Sequence, residues 1–171
     1  MPSWRQACLA SNSRRYLSAS PQAKPRRGRC DLADGVEVAV IAVLRSAIET
    51  VRAAAAAAHP REACGILLGE DGRITEARET RNIHPSPHTH FEIDPQALID
   101  AHRAARAGGP QVIGYFHSHP TGEPVPSSTD RAMAAGDGRV WAIIAADEVR
   151  FWRDGGGYAG EGFAALSYLV I

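Results

Sequence analysis

The sequence predicts an α/β (α+β) domain: one mixed β-sheet flanked by helices. Two observations carry this. Short β-branched or apolar runs alternate with helix-period segments over residues 36–171, the pattern of a sheet with helices on its faces. Two turn signals, Asp71-Gly72 and Asp147-Glu148, join successive strand-like runs into hairpins, so the sheet is mixed and not purely parallel. A length of 171 residues suits one such domain with a tail.

Taken in order, residues 1–35 read as a disordered basic tail. Ser, Arg, Pro and Gly dominate, and the apolar residues show no period. The same composition also fits an upstream extension, an organelle transit peptide or a contact with nucleic acid or an anionic surface. Residues 36–42, Val-Glu-Val-Ala-Val-Ile-Ala, form a first strand after Asp34-Gly35. Leu44 to Ala58 form a helix, with Leu44, Ile48 and Val51 at helical spacing, and His59-Pro60 ends it because a residue before proline avoids the helical region. The run Gly65-Ile-Leu-Leu-Gly69 is a buried strand with Glu62 at its start, and Arg73 to Arg81 return antiparallel to it.

Residues 82–90 form a loop with His84, His88 and His90, exposed or facing substrate in preference to a second metal site. Phe91 to Asp94 form a short strand. Asp94 then caps a helix that starts at Pro95 and stops near Ala107, before Gly108-Gly109-Pro110. Val112 to Phe116 form a buried strand that delivers His117. Ser127 opens a short helix to about Ala135; Val140 to Ala146 and Val149 to Arg153 form a hairpin; Gly155 to Gly157 form a flexible loop; Phe163 to Ile171 end the chain as a strand or helix–strand end. Trp141 and Trp152 pack in or beside the core strands.

The net charge of zero conceals an asymmetry. Residues 1–29 hold six arginines and Lys24 with no acid, which leaves 12 arginines against all 19 acids in residues 30–171, a net −7. An acidic body argues against nucleic acid as a partner, because phosphate binding needs clustered cations. No run of 18 apolar residues is present, so no membrane span is expected. Cys8, Cys30 and Cys64 are odd in number and widely spaced, which points to a reducing, cytoplasmic setting, with Cys64 a small buried apolar residue.

The chemistry concentrates in His117-Ser-His-Pro120, followed by Ser127 and Asp130. Residues i and i+2 of a strand point to one side, so His117 and His119 project together, and Asp130 in the first turn of the next helix folds back onto them. Two imidazoles and a carboxylate suit one zinc ion and leave a coordination position open. Ser127 and Asp130 also make sense without a metal, as an N-cap and its partner three residues on.

The pattern His117-Ser-His-Pro-x6-Ser127-x-x-Asp130 resembles the motif of the JAMM (MPN+) zinc metallopeptidases. His59-Pro-Arg-Glu-Ala-Cys-Gly-Ile-Leu-Leu-Gly69 is similar to that family's N-terminal glutamate segment, and Phe91-Glu-Ile-Asp-Pro95 to its short prokaryotic members. The resemblance spans about residues 36–171. It implies a single JAB1/MPN-like (cytidine-deaminase-like) domain, with zinc on His117, His119 and Asp130, Glu62 as general base and Ser127 as oxyanion donor. It further implies an isopeptidase or peptidase acting after the Gly-Gly tail of a ubiquitin-like or sulfur-carrier protein. Two other functions have related sequences: a DNA-associated factor of RadC type, whose His-x-His-Pro-Ser-Gly segment is similar to residues 117–127, and a non-catalytic MPN scaffold. The Glu62 segment and the acidic body disfavour the first; the complete ligand set disfavours the second.

Overall fold

A computed structural model describes residues 40–156 and 162–171. The chain divides into two units, residues 1–35 and 36–171, and every described residue belongs to the second. The tail expected over residues 1–35 therefore lies outside the described residues, as do the first four residues of the expected leading strand and Gly157 of the expected glycine loop.

Ten elements follow one another: β1 (Val40–Val43), α1 (Arg45–Ala58), β2 (Cys64–Glu70), β3 (Arg73–Thr80), α2 (Pro95–Arg106), β4 (Gln111–His119), α3 (Ser128–Met133), β5 (Val140–Ala145), β6 (Glu148–Asp154) and β7 (Phe163–Val170). The strands form one mixed sheet that closes on itself in the order β1-β3-β2-β4-β5-β6-β7. β1 supplies the closure by pairing parallel with both β3 and β7, and β4 pairs parallel with β5; the remaining neighbours are antiparallel.

β2 is buried from Cys64 to Gly69, as an apolar run between two covered faces requires. Its side chains alternate. Leu67 joins Phe116, Ile74, Ile144 and the α1 residues Ala47, Ile48, Val51 and Ala54 in one core. Cys64, Ile66 and Leu68 join Ile93 and Ala101 of α2, with Phe91 and Tyr115, in the other. Alanines on the buried stripe of α1 let it lie close to the sheet. Helix α2 begins as its sequence demands: the Asp94 carboxylate accepts from the Gln96 amide at 3.0 Å, and proline takes the first turn. Among the described residues no helix is long and apolar enough to cross a membrane.

Two expectations need correction. Residues 91–94 form no strand; only an isolated bridge joins Ile93 to Asn82. Asp94-Pro95 commits the chain to a helix at once, and the Asn82 side chain takes the backbone groups of His90 and Glu92 that a strand partner would otherwise use. The second hairpin turns at Ala146-Asp147, with Ala146 at φ 49°, and Glu148 already lies in β6.

β4 carries the site, and its seating depends on Gly114. A β-carbon there would lie 1.7 Å from the Val140 carbonyl oxygen of β5. Gly114→Ala is expected to force these strands apart and to destabilise the fold by about 1–3 kcal/mol or more, read from the midpoint of urea unfolding.

Candidate metal centre

β4 ends with His117, Ser118 and His119, and Ser127 caps α3 after a short loop. The capping box is complete. The Ser127 hydroxyl accepts from the Asp130 amide at 3.1 Å, and the Asp130 carboxylate accepts from the Ser127 amide at 2.7 Å. This fold-back carries the carboxylate to the histidines. His117 Nε2 lies 3.0 Å from His119 Nε2; Asp130 Oδ1 is 3.2 Å from the first and Oδ2 3.4 Å from the second. One donor atom from each residue falls within 4.8 Å of the others.

The donors are prepared for a cation. His119 Nδ1 is 2.9 Å from the Glu123 carbonyl, an acceptor, so Nδ1 carries the proton and Nε2 offers its lone pair to the centre. Burial drives the His117 pKa down against the opposing pull of Asp130, so this ring is neutral and able to ligate at pH 7. Its orientation comes from packing. Phe91 stacks on it at 4.3 Å and 16°, and Trp141 meets it edge-on at 5.8 Å. His117 Nδ1 has no hydrogen-bond partner among the described residues. At Asp130, burial pushes the carboxyl pKa up, but the neighbouring imidazoles of His117 and His119 and the hydrogen bond from the Ser127 amide outweigh it, and the group lies well below the usual carboxylate range. Two imidazole nitrogens and an ionised carboxylate, drawn together in a buried site, fit zinc.

Glu62 precedes β2, and strand register brings it here. Cys64 pairs with His117, and Ala63 and Ser118 continue the ladder: the Ser118 amide donates to the Ala63 carbonyl at 3.0 Å, and the Ala63 amide donates to the Ser118 hydroxyl at 2.8 Å. Continued one step, this register would set Glu62 opposite His119, on the face of both histidines, and the charges of His119 and Asp130 do act on its carboxyl. Burial raises its pKa to about 7, with His119 pulling it down and Asp130 pushing it up. The structure thus gathers all five residues singled out in the sequence: Glu62, His117, His119, Ser127 and Asp130.

Other residues resolve more simply. Cys64 is fully buried, and burial raises its thiol to about 11, which makes it a packing residue and not a nucleophile. His84 and His90 stack on each other at 4.7 Å, and His88 Nδ1 is 3.1 Å from the Pro60 carbonyl. Trp152 donates its indole N–H to the Pro124 carbonyl at 3.1 Å, steadying the loop that also supplies Glu123. Phe91, Ser118 and Asn82 were not legible as parts of the site. Their roles depend on contacts between segments distant in sequence, and although Ser118 and Phe91 stand inside motifs, nothing local assigns either a role.

A profile described as prokaryotic homologs of the JAB domain matches residues 44–155. The chain belongs to the prokaryotic JAB-domain family. Among its relatives, a desampylase of Haloferax volcanii is 36% identical over 104 residues, which cover 60% of this chain and 75% of the relative. A probable TtuB-protein conjugate cleaving protease of Thermus thermophilus is 34% identical over 104 residues, covering 61% and 68%. The solution structure of a protein from Desulfitobacterium hafniense superposes with a TM-score of 0.66 at 27% identity, covering 77% of this chain and 92% of that one. This JAB-domain chain is an enzyme of the peptidase class, in line with its relatives' names.

Proposed function

We propose that the chain is a zinc-dependent peptidase or isopeptidase that hydrolyses the amide bond after the Gly-Gly tail of a ubiquitin-like or sulfur-carrier protein. One observation carries this reading: a buried acid just ahead of β2, within electrostatic reach of His119 and Asp130, accompanies three convergent metal-type donors, two from β4 and one from α3. The relative named for cleaving TtuB-protein conjugates supports a protein conjugate as substrate.

His117, His119 and Asp130 would hold the zinc. Bound there, zinc supplies Lewis acidity, polarising the scissile carbonyl and bringing the pKa of water to about 7. Glu62 takes the proton from the attacking water and passes it to the leaving amine, a role worth roughly 10²–10⁴-fold. The Ser127 hydroxyl uses a lone pair for the helix cap, so its proton remains free to meet the developing oxyanion, worth about 10²–10³-fold. A diglycine end carries no side chains, which suits approach to donors as buried as His117 and Asp130.

Incubation with small Gly-Gly-tailed proteins fused to a reporter tests this. The expected result is a cut directly after the second glycine, abolished by a chelator and restored by zinc. Uncut fusions, or cleavage indifferent to the chelator, would overturn it.

The two roles of Ser127 separate by substitution. Ser127→Ala is expected to lose about 1 kcal/mol of stability with the cap and about 10²–10³-fold in kcat. Ser127→Asp restores the cap but offers no proton to an oxyanion, so thermal unfolding should recover while the steady-state rate does not.

A further inference from the structure

We propose that Asn82 is a positioning residue that holds Glu62 and His117 in register with each other; this rests on Glu62 serving as the base. Asn82 follows β3 and is half-buried. Its side-chain amide uses its full bonding capacity. Nδ2 donates to the Glu62 carbonyl at 3.0 Å and to the His90 carbonyl at 3.0 Å. Oδ1 accepts from the His84 amide at 3.0 Å and from the Glu92 amide at 3.1 Å. Two donors and two acceptor sites are all that this group has. The partners also fix its orientation, since a flipped amide would set its oxygen against two carbonyls.

These four bonds join two parts of the site. On one side stands the base. The backbone of Glu62 is pinned from both ends, its amide donating to the Pro87 carbonyl at 2.7 Å and its carbonyl accepting from Asn82. On the other side, His90 and Glu92 flank Phe91, whose ring lies on His117 at 4.3 Å. Asn82 thereby grips the backbone at the base and the backbone on either side of the ring that orients a ligand. A reacting group displaced by about 1 Å can cost about 10²-fold in rate, so a shared anchor for the base and the ligand's cover bears directly on turnover.

A substitution that removes the donors should loosen these segments alone. Asn82→Asp keeps both acceptor contacts and loses both donors; Asn82→Ala loses all four. Hydrogen exchange of the metal-free protein, followed by mass spectrometry, reads the effect without activity. Both variants should speed exchange of the Glu62 and Ala63 amides and of residues 88–92 by about tenfold, and leave β5 and β6 unchanged. With a Gly-Gly-tailed reporter fusion, kcat should fall about 10–100-fold at a nearly constant KM. Adding Asn82→Ala to Glu62→Ala should slow the enzyme no further, because the positioned group is already gone.

Acceleration of exchange across all strands would make Asn82 a general stability residue and overturn the proposal. So would an unchanged kcat, or a multiplicative loss in the double variant. If Glu62→Ala alone keeps the wild-type rate, the base assignment fails instead, and the local exchange pattern still decides whether Asn82 clamps the segment.

Discussion

Glu62→Gln is expected to slow amide hydrolysis by roughly 10²–10⁴-fold while leaving the metal-free protein at least as stable as the wild type. Catalysis and stability oppose each other at this position. Burial raises the Glu62 carboxyl from 4.5 to about 7, so between those values the folded chain binds more protons than the unfolded one. Stability therefore falls as pH rises through that window, because the folded state must hold a buried charge. Glutamine removes the charge and keeps the shape. The variant should gain stability relative to wild type at pH 8, and the difference should vanish below about pH 4.5. Thermal unfolding of the two metal-free proteins at both pH values measures this; a variant less stable at pH 8 contradicts it. The same group should leave a trace in the rate. A base must be ionised, so activity should decline as pH falls through the carboxyl's pKa. A nearby dication draws that pKa below its metal-free position, so the acid limb of the pH–rate profile should lie under pH 7.

Asp130→Asn is expected to remove metal and activity together while sparing the fold. The substitution keeps an oxygen for the Ser127 amide, so the capping box at α3 can persist. It removes the negative charge that draws on His117 and His119. Loss of a group that merely orients a ligand commonly costs about 10–100-fold in metal affinity, and loss of a direct ligand should exceed that. Titration of the variant with zinc, read by calorimetry, checks the affinity. Circular dichroism checks that the fold remains. Zinc affinity equal to wild type would remove Asp130 from the ligand set.

Much of this site was legible because it is local. His117 and His119 alternate on a strand, and Ser127 and Asp130 stand at capping-box spacing, so four of the five residues declare their relation within one stretch. Helix α2 was legible for the same reason, from Asp94-Pro95. The position of Glu62 is different in kind. It depends on the register of β2 against β4, which pairs Cys64 with His117 across a long stretch of intervening chain. The sequence contains no local mark of that register, and only the family resemblance pointed to Glu62. The closure of the sheet by β1 was not legible either, since it meets β3 and β7 as parallel neighbours and no tight turn joins it to either. The missing strand at residues 91–94 shows the converse. Phe91-Glu-Ile has strand character, but a side chain, Asn82, satisfies the backbone there.

That His117, His119 and Asp130 hold one zinc ion is tested most directly by elemental analysis of the purified chain, with X-ray absorption at the zinc edge. The expected result is one zinc per chain with two imidazole nitrogens and carboxylate oxygen in its shell, and no zinc in folded His119→Ala or Asp130→Asn. A zinc-free wild type that still cleaves its substrate, or variants that retain the metal in full, would contradict it.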